Sequence, residues 1–144
     1  AHEFLVSDEG ANSETSVDYP DYAQQVAKKV SSGEADRGIL ICGTGIGMAI
    51  TANKFPRVRA APCYDEVMVE MSRRHNNVNI LCLPGDMIGD RPIGELVLMW
   101  LNTDFDGGRH AERVKKISEI ESHSCNEPFG DKISIDPSAS SLDL

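Results

Sequence analysis

The densest apolar run in the chain is Gly38-Ile39-Leu40-Ile41-Cys42, which breaks at once into alternating glycines, Gly43-Thr44-Gly45-Ile46-Gly47, before Met48-Ala49-Ile50 resumes. A short apolar run bounded by Gly reads as a buried strand, and the residues after it favour a helix. The stretch therefore predicts a strand, a tight turn and a helix start. Val58 to Cys63 and Val78 to Leu83 are two more such runs, the second stopped by Pro84-Gly85. Around them the apolar positions change to helical spacing. Pro20 to Ser32 offers Tyr22, Val26, Ala27 and Val30 to a core, with Asp18 near the cap and Pro20 in the first turn. A short helix is expected from about Ile46 to Lys54, and another over Asp65 to His75 with Val67, Met68 and Met71 inward. Pro92 opens a helix to about Asn102 carrying Ile93, Leu96, Val97 and Trp100, and a last one runs from about Arg109 to Glu121 after the turn Asp106-Gly107-Gly108. Glu3 to Val6 is a further short strand candidate, followed by a polar loop over Gly10 to Val17.

Strands alternating with helices pair in parallel through right-handed crossovers. The expected fold is α/β, a Rossmann-like three-layer sandwich around a mostly parallel sheet. At 144 residues the chain makes one domain, large enough to bury a core without staples. A net charge of -9 argues against nucleic acid and against an anionic membrane surface as partners. No apolar run has transmembrane length and no signal-peptide pattern opens the chain, so a cytoplasmic protein is expected. The cysteines at 42, 63, 82 and 125 lack CxxC spacing, which fits reduced thiols and not a disulfide framework or a zinc site.

In an open parallel sheet, ligands bind beyond the carboxyl ends of the strands, where turn N–H groups and the next helix N-terminus meet negative charge. Cys42 stands at such an end. Glycines at 43, 45 and 47 let the backbone approach a ligand and form a nest of donors for an anionic oxygen. The nest and the helix dipole favour a thiolate at Cys42. The plainer alternative is a strand that ends in a small apolar residue, followed by a turn that merely needs glycine. The stretch lacks the Gly-Lys-Ser/Thr ending of a nucleotide P-loop, does not fit the GxGxxG dinucleotide spacing, and has Met48 where a phosphatase loop would need arginine.

Two further groupings carry candidate chemistry. His75-Asn76 ends a predicted helix, where a histidine commonly does no more than answer the dipole and the last carbonyls. Arg109 and Arg113 lie four residues apart, on one helix face just after a double glycine. Near a helix start they make poor dipole partners and a good phosphate clamp, although a solvated basic face including Lys116 is an equal reading.

Ser16-Val17-Asp18-Tyr19-Pro20, the ILICGTGIGM core within Gly38 to Met48, Ala52-Asn53-Lys54, Ser72-Arg73-Arg74-His75-Asn76 and Gly107-Gly108-Arg109-His110 together resemble the ribose-5-phosphate isomerase B family. That family also holds galactose- and allose-6-phosphate isomerases. The resemblance spans roughly residues 4 to 121 in consistent order. It implies interconversion of ribose 5-phosphate and ribulose 5-phosphate in the pentose phosphate pathway, through a cis-enediolate and without metal or other cofactor. By the same resemblance Cys42 matches the catalytic base, and Gly43, Gly45, Ile46 and Gly47 belong to the hole for the enediolate oxygens. Thr44 passes a proton between those oxygens, His75 opens the furanose ring, Asn76 holds the sugar, Arg109 and Arg113 clamp the phosphate, and Tyr19 borders the site. It also implies a homodimer, or a tetramer, with the active site built across the interface.

Three departures qualify that expectation. The family's first strand, with its Asp and His, and its first helix have no counterpart here. Their loss is expected to leave an unpaired sheet edge and exposed apolar surface, and the opening Ala1 suggests that the true start lies elsewhere. Asp86 stands where many members carry an arginine. Ser122 to Leu144 extends past the usual end and is expected to be a disordered tail. The alternatives are a six-carbon sugar phosphate as substrate, or a homologue that binds a sugar phosphate without turning it over.

Overall fold

The computed structural model describes residues 4–87, 89 and 92–124. In chain order they form α1 (Tyr19–Ser32), β1 (Gly38–Cys42), α2 (Ile46–Ala52), β2 (Ala60–Pro62), α3 (Glu66–Asn76), β3 (Ile80–Pro84), α4 (Ile93–Asn102) and α5 (Gly108–Ser124). All three strands are parallel, in the order β1-β3-β2, with Gly38 beside Ile80 and Cys42 beside Pro84. The α/β sandwich expected from the sequence is the architecture observed.

The central strand β3 shows why the layers are three. All five of its residues are buried, so alternate side chains must meet apolar partners on both faces. Ile80 and Cys82 join Ala23, Ala27 and Val30 of α1 and Met48, Ala49 and Ala52 of α2 in one core. Leu81 and Leu83 join Val69 of α3 and Leu96 and Trp100 of α4 in the other. β1 is not enclosed in this way. Leu40 faces the first core, while Ile39 and Ile41 remain 37% and 47% exposed and, among the described residues, the strand pairs only with β3. The residues expected to form a strand over Glu3 to Val6 do not do so where they are described. Phe4, Leu5 and Val6 are irregular and exposed, and among the described residues no strand lies on the side of β1 away from β3.

α3 differs from expectation in which face it buries. Asp65 caps it, accepting a hydrogen bond from the Met68 N–H at 2.8 Å, and Asn77 ends it in the left-handed region. Val67 and Met68 are exposed, Met71 is half-buried, and Val69, Ser72 and Arg73 face inward. Arg73 can be inside because its guanidinium donates to the carbonyls of Val78 and Thr103 and to Asn77 Oδ1. Burial, with the charges of Arg37 and Arg59, pushes its pKa down to about 10. The Trp100 ring beneath it is also approached by Arg37, 5.3 Å from the ring centroid. α5 runs to Ser124, beyond the boundary expected at Glu121, and the rest of the expected tail lies outside the described residues.

Candidate active site

At the carboxyl end of β1 the chain turns through Gly43, Thr44 and Gly45 into α2. Gly45 has φ +74°, a left-handed value that a side chain would oppose, and it packs against the β3 backbone at Cys82 and Leu83. This conformation aims the Gly45 N–H back at Cys42 Sγ, 3.2 Å away. Thr44 Oγ1 accepts from the Ile46 N–H at 3.3 Å. Tyr19 closes the far side of the turn. A Cβ placed on Gly47 would lie 2.4 Å from its ring, so glycine is what lets the phenol sit there.

Asp86 arrives at the same turn from β3. Gly85 N–H donates to the Cys42 carbonyl at 2.7 Å and Asp86 N–H to that of Gly43 at 3.2 Å, continuing the pairing of β1 with β3 past the strand ends. A Cβ on Gly43 would lie 2.6 Å from Asp86 Oδ2. A carboxylate therefore borders the donor nest. The nest remains suited to one developing oxyanion, while a phosphate dianion beside it would be repelled by Asp86.

The described cysteines separate into one accessible thiol and two inert ones. Burial raises Cys63 to about 11 and Cys82 to about 12. Cys42 alone among them is not fully buried.

The remaining predicted residues gather elsewhere. His75 and Asn76 end α3, just before the chain enters β3 at Ile80, and Arg109 and Arg113 lie on the first turns of α5. His75 is stacked face to face with His110, centroids 4.1 Å apart and planes at 4°. Asp106 faces both rings, and its position is fixed by its own N–H donating to the Arg74 carbonyl at 3.0 Å and by the Arg74 guanidinium on its carboxylate. Arg74 holds Asp106 below the usual carboxylate range. One ligand atom from each of His75, Asp106 and His110 lies within 4.8 Å of the others. Parallel stacked rings, however, send their lone pairs side by side instead of converging on a common ion, so the trio does not form a ready metal centre. Asn76 is exposed and lines, with Arg59, Ser72, Met68, Met71 and Ile117, a largely apolar cavity of about 480 Å³ that no residue of the Cys42 turn touches.

The fold thus assembles Cys42, Gly43, Thr44, Gly45, Ile46, Gly47 and Tyr19 where strands end, and His75, Asn76, Arg109 and Arg113 where strands begin. Five residues of strand separate the two levels by about 13 Å. Asp106 and His110 were not singled out by spacing. In the sequence His110 is the last residue of the Gly107-Gly108-Arg109-His110 motif, without a role of its own.

A family model described as Ribose/Galactose Isomerase matches residues 1–117. The chain belongs to this family. It is 45% identical over 116 residues to ribose-5-phosphate isomerase B of Escherichia coli, covering 81% of this chain and 78% of that one. The structure of Clostridium thermocellum ribose-5-phosphate isomerase B superposes with TM-score 0.77 at 51% identity, covering 80% of this chain and 78% of that one. The Mycoplasma genitalium ribose-5-phosphate isomerase B structure, which has ribulose-5-phosphate bound, superposes with TM-score 0.74 at 40% identity, covering 78% and 76%. The ribose/galactose isomerase fold therefore accounts for the described elements, and among them no helix is long and apolar enough to cross a membrane.

Proposed function

We propose that the chain is an aldose–ketose isomerase acting on ribose 5-phosphate and ribulose 5-phosphate. The observation that carries this reading is the Gly45 N–H held on Cys42 Sγ inside a glycine turn. A thiolate stabilised there removes the carbon-bound proton next to the carbonyl, and the turn's remaining N–H groups meet the oxyanion that forms. Thr44 stands beside them with a hydroxyl able to move a proton between the two enediolate oxygens. The phosphate belongs on Arg109 and Arg113, away from Asp86. Because these arginines and His75 lie at the opposite end of the sheet, a working site takes Cys42 from one copy of the chain and the clamp from another, which makes the enzyme a homodimer or a larger assembly. The chemistry is carried by side chains and backbone donors, and the reaction is one of pentose phosphate metabolism.

The test is isomerisation of ribose 5-phosphate, measured with the native sequence, with Cys42→Ala and with Arg113→Ala. Cys42→Ala is expected to lose turnover and keep sugar-phosphate binding, whereas Arg113→Ala weakens binding by about 2 kcal/mol, the size of a lost charged hydrogen bond. A second reading, a protein that binds sugar phosphates without converting them, draws on Asp86 and on the open edge of β1. Tight binding with no turnover by the folded native sequence would favour it over the first.

A further inference from the structure

His110 is an imidazole to which the isomerase reading gives no task. It is 8% exposed, and its backbone N–H donates to the Gly107 carbonyl at 3.0 Å in the first turn of α5. Its ring lies flat on that of His75. The other groups around the pair are charged: Arg74 from α3, Asp106 from the preceding loop, and Arg109 and Arg113 from α5 itself. Arg74 is matched by Glu70 and Asp106, at 3.1 Å each. Neither Arg109 nor Arg113 has an ion-pair partner among the described residues. Burial first, then the charges of His75, Arg109 and Arg113, hold the His110 imidazole below its usual range against the weaker pull of Asp106.

The proton affinity of this cluster therefore depends on whatever neutralises the two arginines. A phosphate dianion placed on them reverses the local field, and a histidine facing net negative charge favours its protonated form. Resting on the sugar-phosphate reading, we propose that His110 takes up a proton when the phosphate of a sugar phosphate binds Arg109 and Arg113, so that substrate binding itself loads an acid beside His75. Opening a furanose ring breaks the bond between the anomeric carbon and the ring oxygen. The ring oxygen gains a proton and the anomeric hydroxyl loses one, so the step consumes no proton overall. A site that must give a proton before it recovers one works best if it is charged beforehand. His110 loaded in this way supplies that first proton, and its stacking keeps the His75 ring in one orientation.

The experiment titrates ribitol 5-phosphate, which has no carbonyl and cannot isomerise, into the full chain by calorimetry at pH 7 in two buffers of unlike ionisation enthalpy. The imidazole C2–H resonances of His75 and His110 are followed through the same titration. The ester is mainly dianionic at this pH, and any proton it sheds on binding has the opposite sign to uptake. The expected result is a binding heat that changes with buffer in the sense of net proton uptake, with the His110 resonance moving toward its imidazolium position. His110→Asn is expected to bind the ligand and lose the buffer dependence. Binding with a buffer-independent heat, or an unmoved His110 resonance in the native sequence, overturns the coupling and leaves the isomerase reading standing. No binding at all by the folded protein overturns both. The resonance measurement needs no variant, so it decides the matter even if His110→Asn does not fold.

Discussion

A thiol becomes a usable base only where its anion is tolerated, and three cysteines of this chain sit on or next to the same small sheet with different outcomes. Cys63 and Cys82 lie in apolar surroundings that raise them to about 11 and about 12. Cys42, at the strand end, receives a backbone N–H and is reached by solvent. Iodoacetamide at pH 8 is therefore expected to alkylate Cys42 at least tenfold faster than Cys63 or Cys82 in the folded protein, since only thiolate reacts and burial both raises the Cys63 and Cys82 thiols and keeps the reagent from them. Peptide mapping by mass spectrometry reads the three sites separately, and comparable labelling of all three would remove the basis for assigning the base to Cys42. The position of Cys42 at a strand end beside a donor turn was legible in the sequence because Gly43, Gly45 and Gly47 punctuate the run there. The role of Gly47 was not. Its lack of a side chain makes room for Tyr19, a contact made by a residue nearly thirty positions earlier, and no local pattern encodes that.

Elements were legible to the extent that their signals were local. β1, α2 and β3 follow directly from apolar runs and the glycines that stop them, and parallel pairing follows from their alternation with helices. α3 was placed correctly within a residue or two, yet its buried face was misjudged. Apolar character suggested Val67 and Met68, whereas the helix turns Val69 and Ser72 inward and buries Arg73, whose hydrogen bonds to carbonyls of Val78 and Thr103 come from outside the helix. The strand expected at Glu3 to Val6 failed for a non-local reason as well, since a strand needs a neighbour and none is described beside the free edge of β1. The N-terminus of α3 depends on one interaction. Asp65 Oδ1 accepts the Met68 N–H at 2.8 Å, so Asp65→Ala is expected to destabilise the protein by about 1 kcal/mol, the usual cost of a lost cap. Urea unfolding monitored by circular dichroism measures it, and an unchanged midpoint would mean that packing of Val69 alone fixes the start of α3.

At the scale of the molecule, the proposed site residues fall into two groups on opposite ends of one sheet. Neither half is sufficient by itself: the Cys42 turn has an oxyanion nest but a carboxylate at its rim, and the α5 start has two arginines without an ion-pair partner among the described residues but no thiol beside an oxyanion nest. Sequence spacing could name both halves but could not show that a single copy keeps them apart, because that separation is set by the direction in which α3 returns the chain to the start of β3. If each working site pairs the Cys42 of one copy with the Arg113 of another, two variants that are both defective at ribose 5-phosphate concentrations far below saturation can repair each other. Cys42→Ala supplies an intact clamp, Arg113→Ala an intact base, and in a mixed dimer one of the two sites receives both. Random exchange of an equal mixture makes half of the dimers mixed, so about one quarter of all sites regain function, following from the two-fold symmetry of the assembly. The measurement is ribose 5-phosphate turnover by the two variants, unfolded together and refolded, against each refolded alone. Recovery toward one quarter of native turnover establishes a site shared between copies. With both variants folded, dimeric and mixed, recovery no greater than the sum of the parts would place base and clamp in the same copy, and the separation of the two half-sites across the sheet would then have to close within one chain.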